Sequence, residues 1–156
     1  MQARLDPFAT DIGPALVKPV IAANKVVNAS TLPASTQELV RIRASQINGC
    51  SGCLDMHTKD AAHAGESPVR LALVAAWREA TVFTEPERAA LELTEQGTRI
   101  ADSSGVTDEA WANAAKHYDD EQLMALVALI ALINAFNRMN VITRQPGGGY
   151  RPGQFG

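Results

Sequence analysis

The stretch INGCSGCLDMHTKDAAHAG, Ile47 to Gly65, holds both cysteines of the chain and two of its three histidines. Two thiols separated by two residues, with no further cysteine to build a crosslinked framework, point to redox or metal chemistry. If a helix opens after the Asn48-Gly49 turn, 100° per residue brings Cys50, Cys53 and His57 to one face and leaves His63 on another. Helical side chains lean toward the N-terminus, which returns the imidazole of His57 over Cys53. A thiol at a helix N-terminus meets unpaired amide N–H groups and the positive end of the dipole, so its thiolate is favoured.

These groups suit attack on an O–O bond. A thiolate that opens a hydroperoxide becomes a sulfenic acid, and a second thiol three residues away condenses with it to a disulfide. His57 can take the thiol proton or hold it for a leaving group. The spacing leaves open which sulfur attacks, because the dipole favours Cys50 and the imidazole favours Cys53. Two plainer readings compete: buried, inert thiols, or a zinc half-site, which would need a second ligand pair that the chain does not offer.

Composition narrows the partners. With 156 residues, 46% of them hydrophobic and 20% charged, the chain fits a single domain. A net charge of −3 gives no basic field for nucleic acid, and Arg41 with Arg43 is too small a cluster to make one. The N-terminus MQARLDPFATDIGP lacks the apolar core of a secretory signal, so the cytoplasm is the expected location. The run LMALVALIALI, Leu123 to Ile133, falls short of the roughly 20 residues that span a bilayer and reads as a buried helix, with no membrane partner.

The elements that must position the thiols all read as helices, since no segment alternates apolar and polar residues with period 2. The fold class is all-α, a helical bundle. Helices are expected over Ile12 to Ala29, with Pro14 in the first turn, and over Ser35 to Gln46 behind a Ser35-x-x-Glu38 capping box. The cysteine helix starts at Cys50 or Ser51 and ends near Gly65; others run from Pro68 to Ala80, Glu85 to Ala101, Thr107 to His117 and Glu121 to Val141. Residues 1–142 form the domain, and 143–156, TRQPGGGYRPGQFG, a Gly/Pro-rich arm expected to lie on a neighbouring subunit. The last helix is apolar almost all round until Asn134, which calls for cover by another copy.

Glu38, eleven residues, Cys50, two residues, Cys53, three residues and His57 together resemble the signature of the alkylhydroperoxidase D-like (AhpD-like) proteins, grouped with the carboxymuconolactone decarboxylases. The similarity runs through ELVRIRASQINGCSGCLDMHTKDA, AAWREATVFTEPERAALELTEQ and INAFNR, Ile133 to Arg138. The resemblance implies an all-α homo-oligomer, trimer or hexamer, with thiol peroxidase activity and no metal, flavin or other cofactor beyond an external dithiol reductant. It assigns Cys53 as the peroxidatic thiol, Cys50 as the resolving one, and Glu38 with His57 as a proton relay. Some members carry a histidine between the cysteines, where this chain has Ser51 and Gly52.

The expected activity is therefore a hydroperoxide reductase acting on a small hydroperoxide. The alternatives are a cofactor-free decarboxylase or isomerase of a small lactone, whose family branches lack the cysteine pair, and a non-enzymatic redox sensor or scaffold. Elsewhere, Asp55 and Lys59 read as an ordinary i,i+4 surface pair. Trp77, Phe83, Trp111 and Phe136 read as core or interface. Asn134, Asn137 and Arg138 read as partners of chain termini or a neighbouring subunit, and His63 and His117 as helix C-terminal histidines without function.

Overall fold

The computed structural model describes residues 2–154, and all regular structure among them is helical. A short 3₁₀ turn, Pro7–Ala9, precedes α1 (Ile12–Asn28), α2 (Ala34–Asn48), α3 (Ser51–His63), α4 (Pro68–Leu73), α5 (Glu85–Thr98), α6 (Asp108–Ala115) and α7 (Asp120–Thr143). Further 3₁₀ turns cover Val74–Ala76 and Ile100–Asp102.

Local chemistry sets most of these starts. Thr84 opens α5 and Asp119 opens α7, each in a reciprocal capping box with Glu87 or Gln122 at the third helical position. Thr107 caps α6 through the Ala110 N–H. The box expected at Ser35 and Glu38 does not form. Pro33 occupies the N-cap and the helix begins at Ala34, so Glu38 lies a full turn inside α2, where its carboxylate serves other partners. The helix expected from Pro68 to Ala80 also stops early. The carbonyls of Trp77, Arg78 and Ala80 turn instead to the Arg88 guanidinium.

Helix α2 is the hub, packing on α3, α5 and α7. It is polar yet largely buried, with Gln37, Arg41 and Ser45 inside alongside Leu39, Val40 and Ile42. Burying polar groups is tolerable when each is hydrogen-bonded, and among the described residues no buried side-chain nitrogen or oxygen lacks a partner. Arg43 joins α2 to α5 through Glu95, which also accepts from the Trp77 indole at 2.8 Å. Trp77 and Phe83 are core residues, whereas Trp111 is exposed on α6.

Helix α7 is long and apolar enough to cross a membrane by length and composition, and its hydrophobic extent exceeds the eleven-residue run visible in sequence. In this fold it packs against α1, α2, α3, α5 and α6 and buries Leu126, Leu129 and Ile133. Beyond it, the Gly/Pro-rich arm lies on α3 of its own chain rather than reaching away. The Asp55 carboxylate accepts the Gly148 and Tyr150 backbone N–H groups, and Lys59 donates to the Gly148 and Tyr150 carbonyls. The expected surface pair Asp55–Lys59 is thus an anchor for the arm. The arm's last two residues, 155 and 156, lie outside the described residues.

Candidate active site

Helix α2 closes on Gly49, whose φ of 67° is left-handed and suits a residue without Cβ. The chain then turns sharply, with the Cys50 N–H bonding the Ser45 carbonyl at 3.0 Å. Cys50 takes extended dihedrals as the N-cap of α3, and its sulfur accepts the Cys53 N–H at 3.3 Å. The two cysteines are joined in a disulfide, with Cα atoms 5.4 Å apart.

Both cysteines are buried, 1% and 2% exposed, against Ala44 and Ile133. The oxidised chain therefore keeps both sulfurs away from solvent at the helix start. The cause is tertiary packing: α7 passes beside α3, and the arm crosses its first turn, where the Gln145 and Pro146 carbonyl oxygens approach Gly52 and Ser51 Oγ reaches the Gln145 carbonyl.

Glu38 and His57, nineteen positions apart, meet: His57 Nδ1 lies 2.9 Å from Glu38 Oε2. The α2–α3 hairpin produces this contact by folding the middle of α2 against the second turn of α3. Arg41 holds the other carboxylate oxygen at 2.5 Å, and its own guanidinium is fixed by Asn24, Asn28 and Gln37. Burial pushes the Glu38 carboxyl up, but the His57 hydrogen bond and the His57 and Arg41 charges outweigh it and leave the carboxyl below its ordinary value. A cavity of about 560 Å³ opens beside this carboxylate, lined also by Ser35, Gln37, Asp60 and Glu66.

The structure thus brings Cys50, Cys53, His57 and Glu38 into one region spanning α2 and α3. His63 ends α3, and His117 follows α6. Among the described residues no group of three or more His, Cys, Asp or Glu side chains gathers to hold a metal ion.

The asparagines of α7 do not bond chain termini. Asn48, at the end of α2, donates to Asn134 and Asn137 at 2.9 Å each; Asn137 donates to Ser45, and Asn134 to Thr98. Arg138 turns back to Asn134. This ladder clamps α7 to the end of α2 immediately before the cysteines. One residue escaped the sequence reading: Asn140, whose side-chain amide donates to Cys53 Sγ at 3.3 Å. The helical period gives only half of the signal, because which face of α7 meets the cysteines is fixed by the fold. Asn140 follows Ile133 by seven residues and so shares its helix face, the face that meets the cysteines.

The model of the carboxymuconolactone decarboxylase family matches residues 14–96, which contain α2, the cysteine pair and most of α5. The chain belongs to that family. It is 40% identical to the uncharacterised protein YdfG of Bacillus subtilis, over 84% of this chain and 88% of the relative. It is 32% identical to the uncharacterised protein YnjA of Escherichia coli, over 71% of this chain and 60% of the relative. Among solved structures, a protein of unknown function from Agrobacterium tumefaciens, suggested to be the antioxidant defence protein AhpD, superposes with a TM-score of 0.88 at 34% identity. That match covers 96% of this chain and all of the other. The debrominase Bmp8 shares the fold at 20% identity with a TM-score of 0.77, over 87% of this chain and 73% of its own. This AhpD-like fold therefore carries more than one chemistry, and the choice between them must rest on the site.

Proposed function

We propose that this member of the carboxymuconolactone decarboxylase family is a thiol-dependent hydroperoxide reductase that cycles through the Cys50–Cys53 disulfide. The observation that carries the reading is the disulfide at the start of α3, one turn before an imidazole paired with a half-buried carboxylate. The lactone decarboxylase reading has no use for two thiols. A sensor or scaffold has no use for a His–Glu pair behind them.

In the reduced protein, Cys53 as thiolate attacks the terminal oxygen of ROOH. Its sulfur becomes a sulfenic acid and the O–O bond breaks. The departing alkoxide takes a proton from His57 and leaves as ROH. Cys50 then attacks the sulfenic sulfur, releasing water and forming the disulfide. An external dithiol reduces it by exchange and leaves as its own disulfide, so one ROOH and two thiols yield ROH, water and one disulfide. Glu38 fixes the tautomer of His57 and stabilises the imidazolium, and Arg41 holds Glu38 in place. No cofactor enters this cycle.

A homo-oligomer in the cytoplasm completes the proposal. The oligomer is supported by the apolar side chains of Phe8, Ile12, Leu16 and Val26 at the N-terminal end and of Met124 and Val127 on α7, which stay exposed among the described residues.

The test is turnover of hydroperoxide with a small dithiol as donor. Cys53→Ser abolishes it, and Cys50→Ser stalls at a sulfenic acid that a dimedone-type probe traps. Turnover retained by Cys53→Ser but lost by Cys50→Ser would reverse the two roles.

A further inference from the structure

The two sulfurs have different donors. Cys50 Sγ accepts the backbone N–H of Cys53, an interaction any residue at position 53 other than proline could supply. Cys53 Sγ accepts a side chain, Asn140 from α7. That amide nitrogen is brought to 3.3 Å by a helix whose preceding turns are locked to Asn48, Ser45 and Thr98, so its position is built rather than incidental. A disulfide sulfur is a weak acceptor, and a donor held on it gains most when the sulfur becomes an anion.

We infer that Asn140 is a catalytic residue of this site, its side-chain N–H stabilising the Cys53 thiolate and so selecting Cys53 over Cys50 as the attacking sulfur. The inference rests on the proposed role of Cys53 and adds the group that creates it. The dipole favours Cys50 and the imidazole favours Cys53; Asn140 adds a second contribution on the Cys53 side. The other titratable or charged groups around Cys53 are Cys50 and His57 on α3, with Glu38 and Arg41 on α2 behind the imidazole. On α7, Arg138 is turned to Asn134, and on α3 Asp55 and Lys59 are engaged with each other and the arm.

The test titrates each thiol separately, by thiolate ultraviolet absorbance and by the pH dependence of alkylation, in reduced Cys50→Ser and Cys53→Ser backgrounds. Asn140→Leu removes the donor while keeping the same heavy-atom branching. It should raise the Cys53 pKa by about one unit, an about tenfold lower thiolate fraction near neutrality, and leave Cys50 unmoved. Asn140→Asp, which keeps the shape but replaces the donor with a like charge, should raise it further. Circular dichroism of each variant checks that the helices persist. An unmoved Cys53 pKa in both variants, or equal shifts at both cysteines, overturns the inference. Because the titration uses no peroxide, a selective shift in a protein without turnover would sink the peroxidase reading and leave the role of Asn140 in Cys53 ionisation standing.

Discussion

His57 Nδ1 lies 2.9 Å from Glu38 Oε2, so a residue on the cysteine helix is tied to one a full hairpin earlier. With Nδ1–H donated to the carboxylate, the neutral imidazole carries its lone pair on Nε2, the nitrogen that remains for proton transfer. The same contact links function to stability, because Glu38 is also the partner of buried Arg41.

Glu38 should therefore contribute an acid limb to stability. Its folded pKa lies below the ordinary 4.5, so the stabilisation is complete above that value and is lost as pH falls through the lower folded value. Glu87 and Glu95 are lowered too, so the wild-type curve alone does not isolate Glu38. The difference between wild type and Glu38→Gln does. Urea unfolding across pH should show Glu38→Gln less stable at neutrality by about 1–3 kcal/mol, the cost of weakening hydrogen bonds to charged groups, with the gap narrowing below pH 4.5. A gap that stays constant into acid would mean the carboxylate charge is not what matters.

His57→Gln separates chemistry from packing. Glutamine can keep a donor toward Glu38 but cannot take up and release a proton. Peroxide turnover should fall by about 10²–10⁴, the usual contribution of general acid–base catalysis, with a stability loss of about 1 kcal/mol. Stopped-flow oxidation of the reduced variant measures the first, urea unfolding the second. A rate within a few-fold of wild type would remove the imidazole from the cycle.

Gly49 sets where the first sulfur lands. A methyl group there meets nothing within 4 Å, so Gly49→Ala carries the backbone penalty alone, about 1 kcal/mol for an L-residue at φ 67°. Gly49→Asn should cost less, because asparagine tolerates the left-handed region. Urea midpoints ordering as glycine, asparagine, alanine test this; equal midpoints would show that the turn relaxes to another conformation.

The helical class and the α2–turn–α3 unit were legible because their determinants are local: Asn48-Gly49 breaks one helix, and the cysteines open the next. The start of α2 misread because Ser35-x-x-Glu38 satisfies the capping pattern, while Pro33 had already fixed the helix one residue earlier. Helix α4 misread because the side chain that takes its terminal carbonyls, Arg88, comes from the next helix. Asn140 and the arm were invisible for the same reason. Each meets α3 from more than eighty residues away, and no local period records such a contact.

The arm is the largest of these non-local features and bears on how the disulfide is reached. It is pinned at three depths: Ser51 Oγ on the Gln145 carbonyl, Asp55 and Lys59 on the Gly148 and Tyr150 backbone, and the Tyr150 hydroxyl on Asp60 at 2.9 Å. It also joins the other chain end, since Gln145 donates to the Leu5 carbonyl and the Arg4 N–H bonds Thr143. Gly147 passes so close to α3 that a Cβ there would collide with the Ser51 carbonyl oxygen. Gly147→Ala should therefore lift the arm from the first turn of α3 without touching any of Cys50, Cys53, His57 or Glu38. Backbone amides in 145–150 should exchange faster, and a bulky dithiol should reduce the disulfide several-fold faster, whereas a small one should gain less. Asp55→Asn, which keeps an acceptor but loses the charge that holds Lys59, should act in the same direction and more weakly. Faster exchange with unchanged reduction by both reductants would show that the arm lies on the helix without shielding the sulfurs.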